Sequence, residues 1–426
     1  MVRMDFVVKI LQGAALAALL LLQACGGADP GMAVPRDAAA VLAVDASAAG
    51  LLPVLGGELG GLAAPGGKAY AFVDGSGEFF VCAATAGEDA VEETLERLRK
   101  AGRATGPVQR RGYGFCVVDG SWVAGYGGKL LAATGPVAAT GVGAAMNRLA
   151  GLLSSESGEE SPLVSMADSI GAPVSLAARV SALPEKIAPV FMVGAGKDTK
   201  PSAVIVVARV DTVDGCLVVK GRSVSHDKAV DKDLQTARSA YGGIGGRFLS
   251  GLRADAKVSL VANVDGPAFV GQLHGSAPLA AMLAGANAIV DMDKILKSVS
   301  GDISISVDGL DGGGLSVFAE TSGSGWVEDV GYWMQSVPKG GRMVQTGDSS
   351  YSYSGGGREF NFGLDGSVFY GVSSKSLLEG RGKSAARPLP GGLLRLLRGA
   401  KLAVVANTEG LPAVGGSFTH AAYIME

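Results

Sequence analysis

Asp37-Ala-Ala-Ala-Val-Leu-Ala-Val-Asp45 returns later in the chain as Asp255-Ala-Lys-Val-Ser-Leu-Val-Ala-Asn263. In each segment an acidic residue precedes a short apolar run that contains β-branched valine. Such a run, bounded by polar residues, is typical of a buried β-strand. The same strand therefore opens two parts of one chain, which predicts an internal duplication.

Further matches follow between these two parts of the 426-residue chain. Most of the matched segments place an apolar strand beside an Asp-Gly turn. In a chain rich in Gly and Ala, chance identities are common but are not expected in the same order. The matched pairs are Val73-Asp74-Gly75 with Val307-Asp308-Gly309, residues 79–93 with 315–329, Asp119-Gly120-Ser121 with Asp365-Gly366-Ser367, and residues 172–179 with 400–407.

The fold class follows from the turns and from one clear amphipathic helix. Asp-Gly pairs between short apolar runs predict β-hairpins, and hairpins pair neighbouring strands in an antiparallel manner. At residues 88–101, Val91, Leu95 and Leu98 share one helical face, with acids in the first turn and bases in the last. We therefore predict an α+β fold, built from duplicated units of mostly antiparallel sheet with helices packed on one face.

Other segments carry weaker patterns. Helices are predicted at residues 46–62, 226–240, 277–286 and 289–299 from their apolar spacing and charge. The tract at residues 349–357 is rich in Tyr, Ser and Gly, and this composition predicts a long hairpin loop.

The repeats divide the chain into segments. Residues 35–225 form the first α+β half, and residues 252–426 form a second half that is shortened at its C-terminal end. Residues 226–251 contain Gly-Gly-Ile-Gly-Gly and are predicted to connect the halves, so a binding site is expected between the halves near this connector. Residues 1–24 are predicted to be a signal peptide, and residues 25–34 a tether.

The N-terminal segment resembles that of an exported lipoprotein. Arg3 and Lys9 accompany a mostly apolar run at residues 10–22, which is shorter than the roughly 20 apolar residues that span a bilayer. Leu22-Gln23-Ala24-Cys25 follows and resembles the lipobox of bacterial lipoproteins, where a thiol accepts a diacylglyceryl group. Cys25 is therefore predicted to be the lipid-attachment residue. The protein is then expected to be anchored in the cell envelope, at the outer membrane, by its N-terminal lipid.

Composition limits the class of partner. The net charge is −3 and 48% of the residues are hydrophobic. This content is sufficient for packed interiors and excludes a disordered tether. Because no Lys- or Arg-rich run offsets the acidic balance, no nucleic-acid partner is expected. The partner classes that remain are an envelope protein, a glycan and a lipid.

An odd number of cysteines remains once Cys25 carries lipid, so at least one thiol is unpaired within the chain. Cys82 and Cys116 are candidates for a disulfide because they lie on strands that bracket one helix, and export permits a disulfide. Their counterparts in the second copy are Phe318 and Phe362, whose neighbours have different polarity. Two unpaired, partly buried thiols are therefore predicted.

A known family resembles this chain. The lipobox, Val34-Pro35-Arg36-Asp37-Ala38, and the run through Asn263-Val-Asp265, Ile289-Val-Asp-Met292 and Gly301-Asp302-Ile303 are similar to a family of Bacteroidetes lipoproteins. That family is designated domain of unknown function 4836, and the resemblance extends over nearly the whole mature chain. It brings no catalytic motif and implies an envelope lipoprotein.

Catalytic and metal-binding motifs were sought by residue spacing. His226, His274 and His420 are scattered and show no zinc-ligand spacing. The phosphate-binding loop and the Gly-x-Ser-x-Gly elbow are absent, and Ser-x-x-Lys at residues 225–228 and 336–339 lacks its partner motifs. No catalytic, cofactor-binding or metal-ligating residue is therefore predicted, and no cofactor.

The repeated acids have a structural explanation. Asp74, Asp119, Asp308 and Asp365 each precede glycine at a predicted turn. At such positions an Asp side chain accepts backbone N–H hydrogen bonds and tolerates the turn conformation. We therefore interpret them as turn residues rather than as paired catalytic carboxylates.

Two classes of function remain. The first is a non-catalytic envelope lipoprotein that binds or scaffolds a partner. The alternative is an envelope hydrolase whose site is assembled from dispersed Asp, Ser and His. A pocket holding His274 with an acid and a serine within hydrogen-bond distance would favour the hydrolase.

Overall fold

Ala40–Asp45, the first repeated strand, lies inside a wide antiparallel sheet. The structure is a computed structural model that describes residues 29–45, 67–85, 87–154, 160–183, 185, 188–196, 198–275, 280–281, 283–284, 291–308, 314–337, 339–379, 383–409 and 418–426. Cys25, the signal segment 1–24 and the helix predicted at residues 46–62 lie outside the described residues. So does most of the helix predicted at 277–286.

The chain divides into two compact units with boundaries that differ from the predicted halves. Unit 1 comprises residues 1–184, 205–212 and 411–417, and unit 2 comprises residues 185–204, 213–410 and 418–426. The predicted connector, residues 226–251, therefore belongs to unit 2. The connector packs into this unit because its apolar residues, such as Leu234 and Ile244, are buried.

The described strands of unit 1 pair in the antiparallel sense. Their order across the sheet is β9-β8-β1-β2-β3-β7-β6-β5-β4. This arrangement confirms the mostly antiparallel sheet. The strands are β1 Ala40–Asp45, β2 Lys68–Val73, β3 Phe79–Ala84, β4 Val108–Arg110, β5 Tyr113–Val118, β6 Trp122–Gly127, β7 Leu130–Thr134, β8 Val174–Arg179 and β9 Ile205–Val213.

The helices in the described part of unit 1 are α1 Glu88–Lys100, α2 Val142–Leu153 and α3 Pro162–Asp168. They occupy both faces of the sheet. α1 packs on the face of the sheet that carries the Ala124 side chain of β6. α2 lies on the face to which the next residue, Gly125, points, because a Cβ added at Gly125 would lie 3.3 Å from Leu153 of α2. Successive strand residues point to opposite faces. The expectation that the helices share one face is therefore wrong for this unit.

α1 ends within one residue of the predicted boundary. Its buried face is Val91, Leu95 and Leu98, and burying each such side chain contributes roughly 1.5–3 kcal/mol. Gly102 has φ +71° after the last turn, and the N–H of Arg103 donates to the Leu98 carbonyl at 2.8 Å. A left-handed glycine with this hydrogen bond is the usual helix stop.

The predicted tether is partly folded. Pro30–Ala33 forms a 3-10 turn capped by Asp29, and Val34 is buried. A Cβ added at Gly31 would lie 3.0 Å from Val164 of α3. Residues 29–34 thus pack on unit 1 because their apolar residues are covered there.

The strands of unit 2 follow the order β10-β20-β19-β12-β13-β14-β18-β17-β16-β15. Within the described residues of this unit, the β10–β20 pair alone is parallel, and β11 pairs with the end of β12. The strands are β10 Cys216–Val224, β11 Tyr241–Gly242, β12 Val258–Asp265, β13 Val299–Val307, β14 Leu315–Thr321, β15 Arg342–Gly347, β16 Ser350–Gly355, β17 Arg358–Asp365, β18 Val368–Val372, β19 Leu402–Asn407 and β20 His420–Met425.

Helices cover both faces of unit 2 as well. On one face Trp326 and Trp333 pack with Ala262 of β12, and on the other Leu393 and Leu397 pack with Val261. The helices of this unit whose bounds lie in the described residues are α4 Ala188–Phe191, α5 Lys228–Arg238, α6 Gly266–Gly275, α7 Met292–Lys297, α8 Val330–Gln335, α9 Lys375–Glu379 and α10 Gly391–Leu397.

One of the sequence matches, that of Asp119 with Asp365, joins two turns that lie one strand connection apart in the two units. Asp119 follows β5, whereas Asp365 ends β17, and β17 has the position in unit 2 that β6 has in unit 1. The pairing of Asp119 with Asp365 is therefore wrong in topology, while Asp37 and Asp255 each precede the equivalent strands β1 and β12. Asp-Gly turns recur at many hairpins, so their motif does not distinguish one hairpin from the next.

The tract predicted as a loop at residues 349–357 is mostly a strand. Ser350–Gly355 pairs with β15 on one side and β17 on the other. Tyr351 and Tyr353 alternate with serines and pack against the aromatic cluster of unit 2. Aromatic residues at every second position are typical of a half-buried strand. The high Ser and Gly content of the tract favoured a loop prediction instead.

The cysteines are buried and free in the described residues, which include Cys216. Directly opposite residues on neighbouring strands connect Cys82 on β3 to Phe115 on β5. The row runs from Cys82 through Ala132 of β7 and Gly125 of β6 to Phe115. Cys82 therefore shares a face with Phe115, whereas Cys116 points to the other face. Two strands and the thickness of the sheet separate the two thiols.

Candidate functional site

α5 lies in the predicted connector and borders an open groove. Asp227 caps its N-terminus by accepting from the N–H of Ala229 at 2.8 Å, and Leu234 and Ala237 form its buried stripe. Burial of this stripe fixes the helix on unit 2, while its Asp233 and Thr236 positions remain exposed. These exposed residues form one wall of the groove.

The second wall is a glycine-rich loop whose close approach requires the absence of a side chain. Gly194 has φ +89°, and a Cβ added there would lie 2.0 Å from the Ala237 Cβ. Only glycine adopts this conformation without strain and without a clash. The loop at Gly194 to Gly196 therefore lies directly against α5.

The third wall is α6, which continues from β12 without a loop. Gly266 begins the helix, and a Cβ there would lie 2.3 Å from the Leu296 carbonyl oxygen. Gln272 attaches α6 to α5, because its Nε2 donates to the Ala237 carbonyl at 2.6 Å. Its Oε1 is buried and has no hydrogen-bond partner within the described residues.

The groove encloses about 640 Å³, and all of its lining residues belong to unit 2. Its floor consists of backbone and methyl groups from residues such as Ala195, Ala240 and Gly271. Polar side chains stand around it on the α5 and α6 sides, whereas the 194–196 loop contributes none. Such a surface can bind a ligand by shape and by hydrogen bonds to its rim. The groove lies near the predicted connector and within unit 2.

His274 is the one predicted candidate of the hydrolase alternative that lies at the groove. Its Nε2 is 2.7 Å from Asp293 Oδ2, and its side chain is half-exposed. Ser239 also lines the groove, but its hydroxyl donates to the Thr236 carbonyl at 2.6 Å. In the described part of the chain, no serine or threonine hydroxyl forms a hydrogen bond with His274. Among the described residues, the structure thus brings together a histidine and a carboxylate with no hydroxyl bonded to the histidine.

The other histidines lie elsewhere. His226 is exposed. His420 is 5% exposed, with Nε2 2.8 Å from the Ala254 carbonyl and Nδ1 3.0 Å from the Thr419 hydroxyl. A buried histidine with both ring nitrogens occupied by such partners stabilises the local structure.

The repeated acids act at turns. Asp74 Oδ1 accepts from the backbone N–H groups of Ser76 and Glu78, each at 2.9 Å. Asp119 has φ +47° and pairs with Arg103 at 2.9 Å, which lowers the pKa of its carboxyl. These contacts match the turn interpretation.

A buried carboxylate, Asp302, forms hydrogen bonds with the end of the connector. No motif in the sequence predicted this role. Asp302 is 1% exposed and accepts from the N–H groups of Gly245, Gly246 and Arg247 at 2.7–3.0 Å. Burial by itself raises the pKa of Asp302, but hydrogen bonds from Asn263 and these N–H groups outweigh it and lower the pKa. The glycine-rich run before Arg247 was the available signal, because consecutive N–H groups can enclose an anion.

Metal and membrane features were examined in the same residues. No cluster of three or more His, Cys, Asp or Glu side chains suited to a metal ion occurs in the described part of the chain. None of the helices described here combines the length and apolar character required to cross a bilayer.

Comparisons with known proteins do not assign the chain to a family. No known protein family and no curated protein matches the chain. Among solved structures, crystal form IV of TP0453 is similar at a TM-score of 0.26 and 14% identity, over 41% of this chain and 68% of that one. Crystal form I of TP0453 gives a TM-score of 0.23 and 11% identity, over 39% and 62%. These TM-scores are too low to support a shared fold.

Proposed function

We propose that this chain is a non-catalytic, lipid-anchored protein of the cell envelope that acts by binding, and that the groove of unit 2 is its binding site. The observation that carries the proposal is the groove itself, an open volume of about 640 Å³ with a backbone and methyl floor and a polar rim. Its partner is an envelope protein, a glycan or a lipid. Anchoring is assigned to a lipid on Cys25, at the outer membrane, as in the Bacteroidetes lipoproteins that the sequence resembles.

We also infer that the two units arose by duplication. The order β8-β1-β2-β3-β7-β6-β5-β4 of unit 1 has the same connectivity as β19-β12-β13-β14-β18-β17-β16-β15 of unit 2. Two independent folds would rarely share so long a connectivity. The groove is built on segments that flank the repeated strand β12, since α5 precedes it and α6 follows it.

Site-specific photo-crosslinking in intact envelopes tests the binding site. Gly271 and Gly323 are both exposed, and an added Cβ at either meets no atom within 4 Å, so each accepts a photoreactive side chain. Gly271 lines the groove and Gly323 does not. We expect a discrete crosslinked species from the Gly271 variant and none from the Gly323 variant. Equal crosslinking from both positions contradicts the assignment.

The His274–Asp293 pair supports an envelope hydrolase as the second candidate, because a histidine oriented by a carboxylate is a general base in many hydrolases. Ester, peptide and glycoside substrates should show no turnover that depends on His274. Turnover by the wild type that His274→Ala abolishes, with the fold retained by circular dichroism, would replace the binding proposal with the hydrolase.

A further inference from the structure

A second, smaller cavity lies in unit 2 and shares Ala237 with the groove. It encloses about 40 Å³. Phe191 of α4 is fixed at this cavity by an edge-to-face contact with Tyr423, at 4.8 Å between ring centroids. Its apolar wall consists of Phe191, Val193, Leu234, Tyr241, Leu402 and Met425.

One cation borders this apolar wall. Arg238, the last residue of α5, lines the cavity and is half-buried. Its Nη1 donates to the Ser223 carbonyl at 2.7 Å, which occupies one of the five N–H donors of a guanidinium. Burial, together with the nearby Arg222, lowers the pKa of Arg238.

The acids near Arg238 are engaged with other groups. Asp231 accepts from the Ser225 N–H at 3.0 Å and from Gln235 Nε2 at 2.6 Å. Glu426 pairs with Lys220 at 3.2 Å. Within the described residues, Arg238 forms no ion pair with a carboxylate. Asp231 acts on the Arg238 charge without a direct ion pair, so the guanidinium keeps N–H donors that an anionic ligand could use.

A hydroxyl adds a second polar group. Tyr423 lines the cavity, and its hydroxyl donates to the Gly221 carbonyl over a long 3.4 Å. Burial raises the pKa of Tyr423, so the phenol keeps its proton and remains a donor. The single Tyr423 proton is already donated to Gly221, so the cavity combines an apolar wall with one cationic donor, the Arg238 guanidinium.

We propose that this cavity binds a short-chain monocarboxylate, with its carboxylate on the Arg238 guanidinium and its alkyl end against the apolar wall. An inorganic anion would use the guanidinium but leave the wall without a partner. The size of the alkyl end follows from the volume, because about 40 Å³ holds roughly three water-sized groups at ~10–15 Å³ each. Butyrate matches this limit. The site is separate from the groove, and α6 takes no part in it.

Calorimetric titration of the full-length protein in detergent with butyrate tests the site. For so small a ligand, affinity is expected on the order of millimolar. Butyramide has the same shape without the charge, and we expect it to bind at least about tenfold more weakly, since a charge-assisted pair is lost. Acetate should bind more weakly than butyrate, and octanoate should gain nothing over butyrate because the cavity is full.

Matched arginine variants locate the carboxylate. Arg238→Gln should weaken butyrate binding at least about tenfold, and Arg238→Lys should recover part of it. Arg222→Gln removes an exposed charge nearby and should change binding less than about threefold. Thermal melts monitor folding of each variant.

Three results would overturn the proposal. One is equal affinity of the wild type for butyrate and butyramide, which needs no variant. Another is inorganic phosphate binding as tightly as butyrate, which would assign a simple anion site. The last is absence of butyrate binding to the wild type at 50-fold above the expected ~1 mM dissociation constant.

Discussion

At the residue scale, Asp302 joins the connector to the sheet of unit 2. Its carboxylate accepts three backbone N–H groups from Gly245 to Arg247 and the Asn263 side-chain amide. Its own N–H donates to Glu320 Oε2 at 2.8 Å. Because Glu320 also pairs with Arg247 at 2.8 Å, the network ties β13, β14 and the glycine-rich segment together.

We predict that Asp302→Asn lowers the free energy of unfolding by about 2–4 kcal/mol at pH 7, because an amide nitrogen would face N–H donors in a buried site. Urea unfolding followed by tryptophan fluorescence measures the change. Asp348→Asn is the control, since Asp348 is an exposed residue, and its effect should stay within about 0.5 kcal/mol.

The same variant has a defined pH dependence. The pKa of Asp302 is lowered on folding, so its stabilising contribution is complete above the unfolded value of about 3.9. It is lost as the pH falls through the lower folded value. The stabilities of wild type and Asp302→Asn should therefore converge below about pH 4. A difference that stays constant from pH 7 to pH 3 would show that the carboxylate charge is not responsible.

The buried thiols give a second prediction at this scale. Burial raises the pKa of both Cys82 and Cys116, that of Cys116 to about 12. The thiolate is the reactive form, so both thiols should resist iodoacetamide at pH 8 in the native protein. Both should be alkylated after unfolding without reductant. A disulfide-linked Cys82–Cys116 peptide in non-reducing mass spectrometry would contradict the opposite-face geometry.

At the element scale, the groove depends on how closely the 194–196 loop approaches α5. We predict that Gly194→Ala destabilises the protein by about 2–4 kcal/mol, because the added Cβ combines a left-handed backbone with a clash at Ala237. Gly196→Ala is the matched control in the same loop, where the added Cβ lies 3.7 Å from its nearest neighbour.

Chemical unfolding of both glycine variants measures the difference. Gly196→Ala should leave stability within about 0.5 kcal/mol of the wild type. If Gly194→Ala is equally neutral, the loop does not pack against α5 as described, and the groove loses one wall.

At the scale of the whole molecule, the proposed lipid anchor would determine where the groove is presented. We predict that Cys25 carries the lipid, so a clickable palmitate analogue should label the wild type and not Cys25→Ala. The physical reason is that the thiol is the acceptor of the diacylglyceryl group, and the attached acyl chains give stable membrane association. Labelling of both proteins to the same extent, or a mature N-terminus elsewhere, would remove the anchor from the proposed function.

The sequence by itself determined the features that depend on local chemistry. The α1 boundary followed from three apolar residues on one helical face and a glycine stop, and the hairpins followed from Asp-Gly turns. The antiparallel sheet also followed, because short turns join neighbouring strands. His274 was named as the histidine to examine, but its acid partner Asp293 was not.

Only the tertiary structure decided the features that depend on residues distant in sequence. The helix faces, the place of the connector inside unit 2 and the strand at Ser350–Gly355 depend on which surfaces become buried together. The groove joins a loop, α5 and α6, and the smaller cavity joins Phe191 to Met425 across the chain. Sequence periodicity reports which residues are apolar, but the partner of each apolar face is fixed by long-range packing.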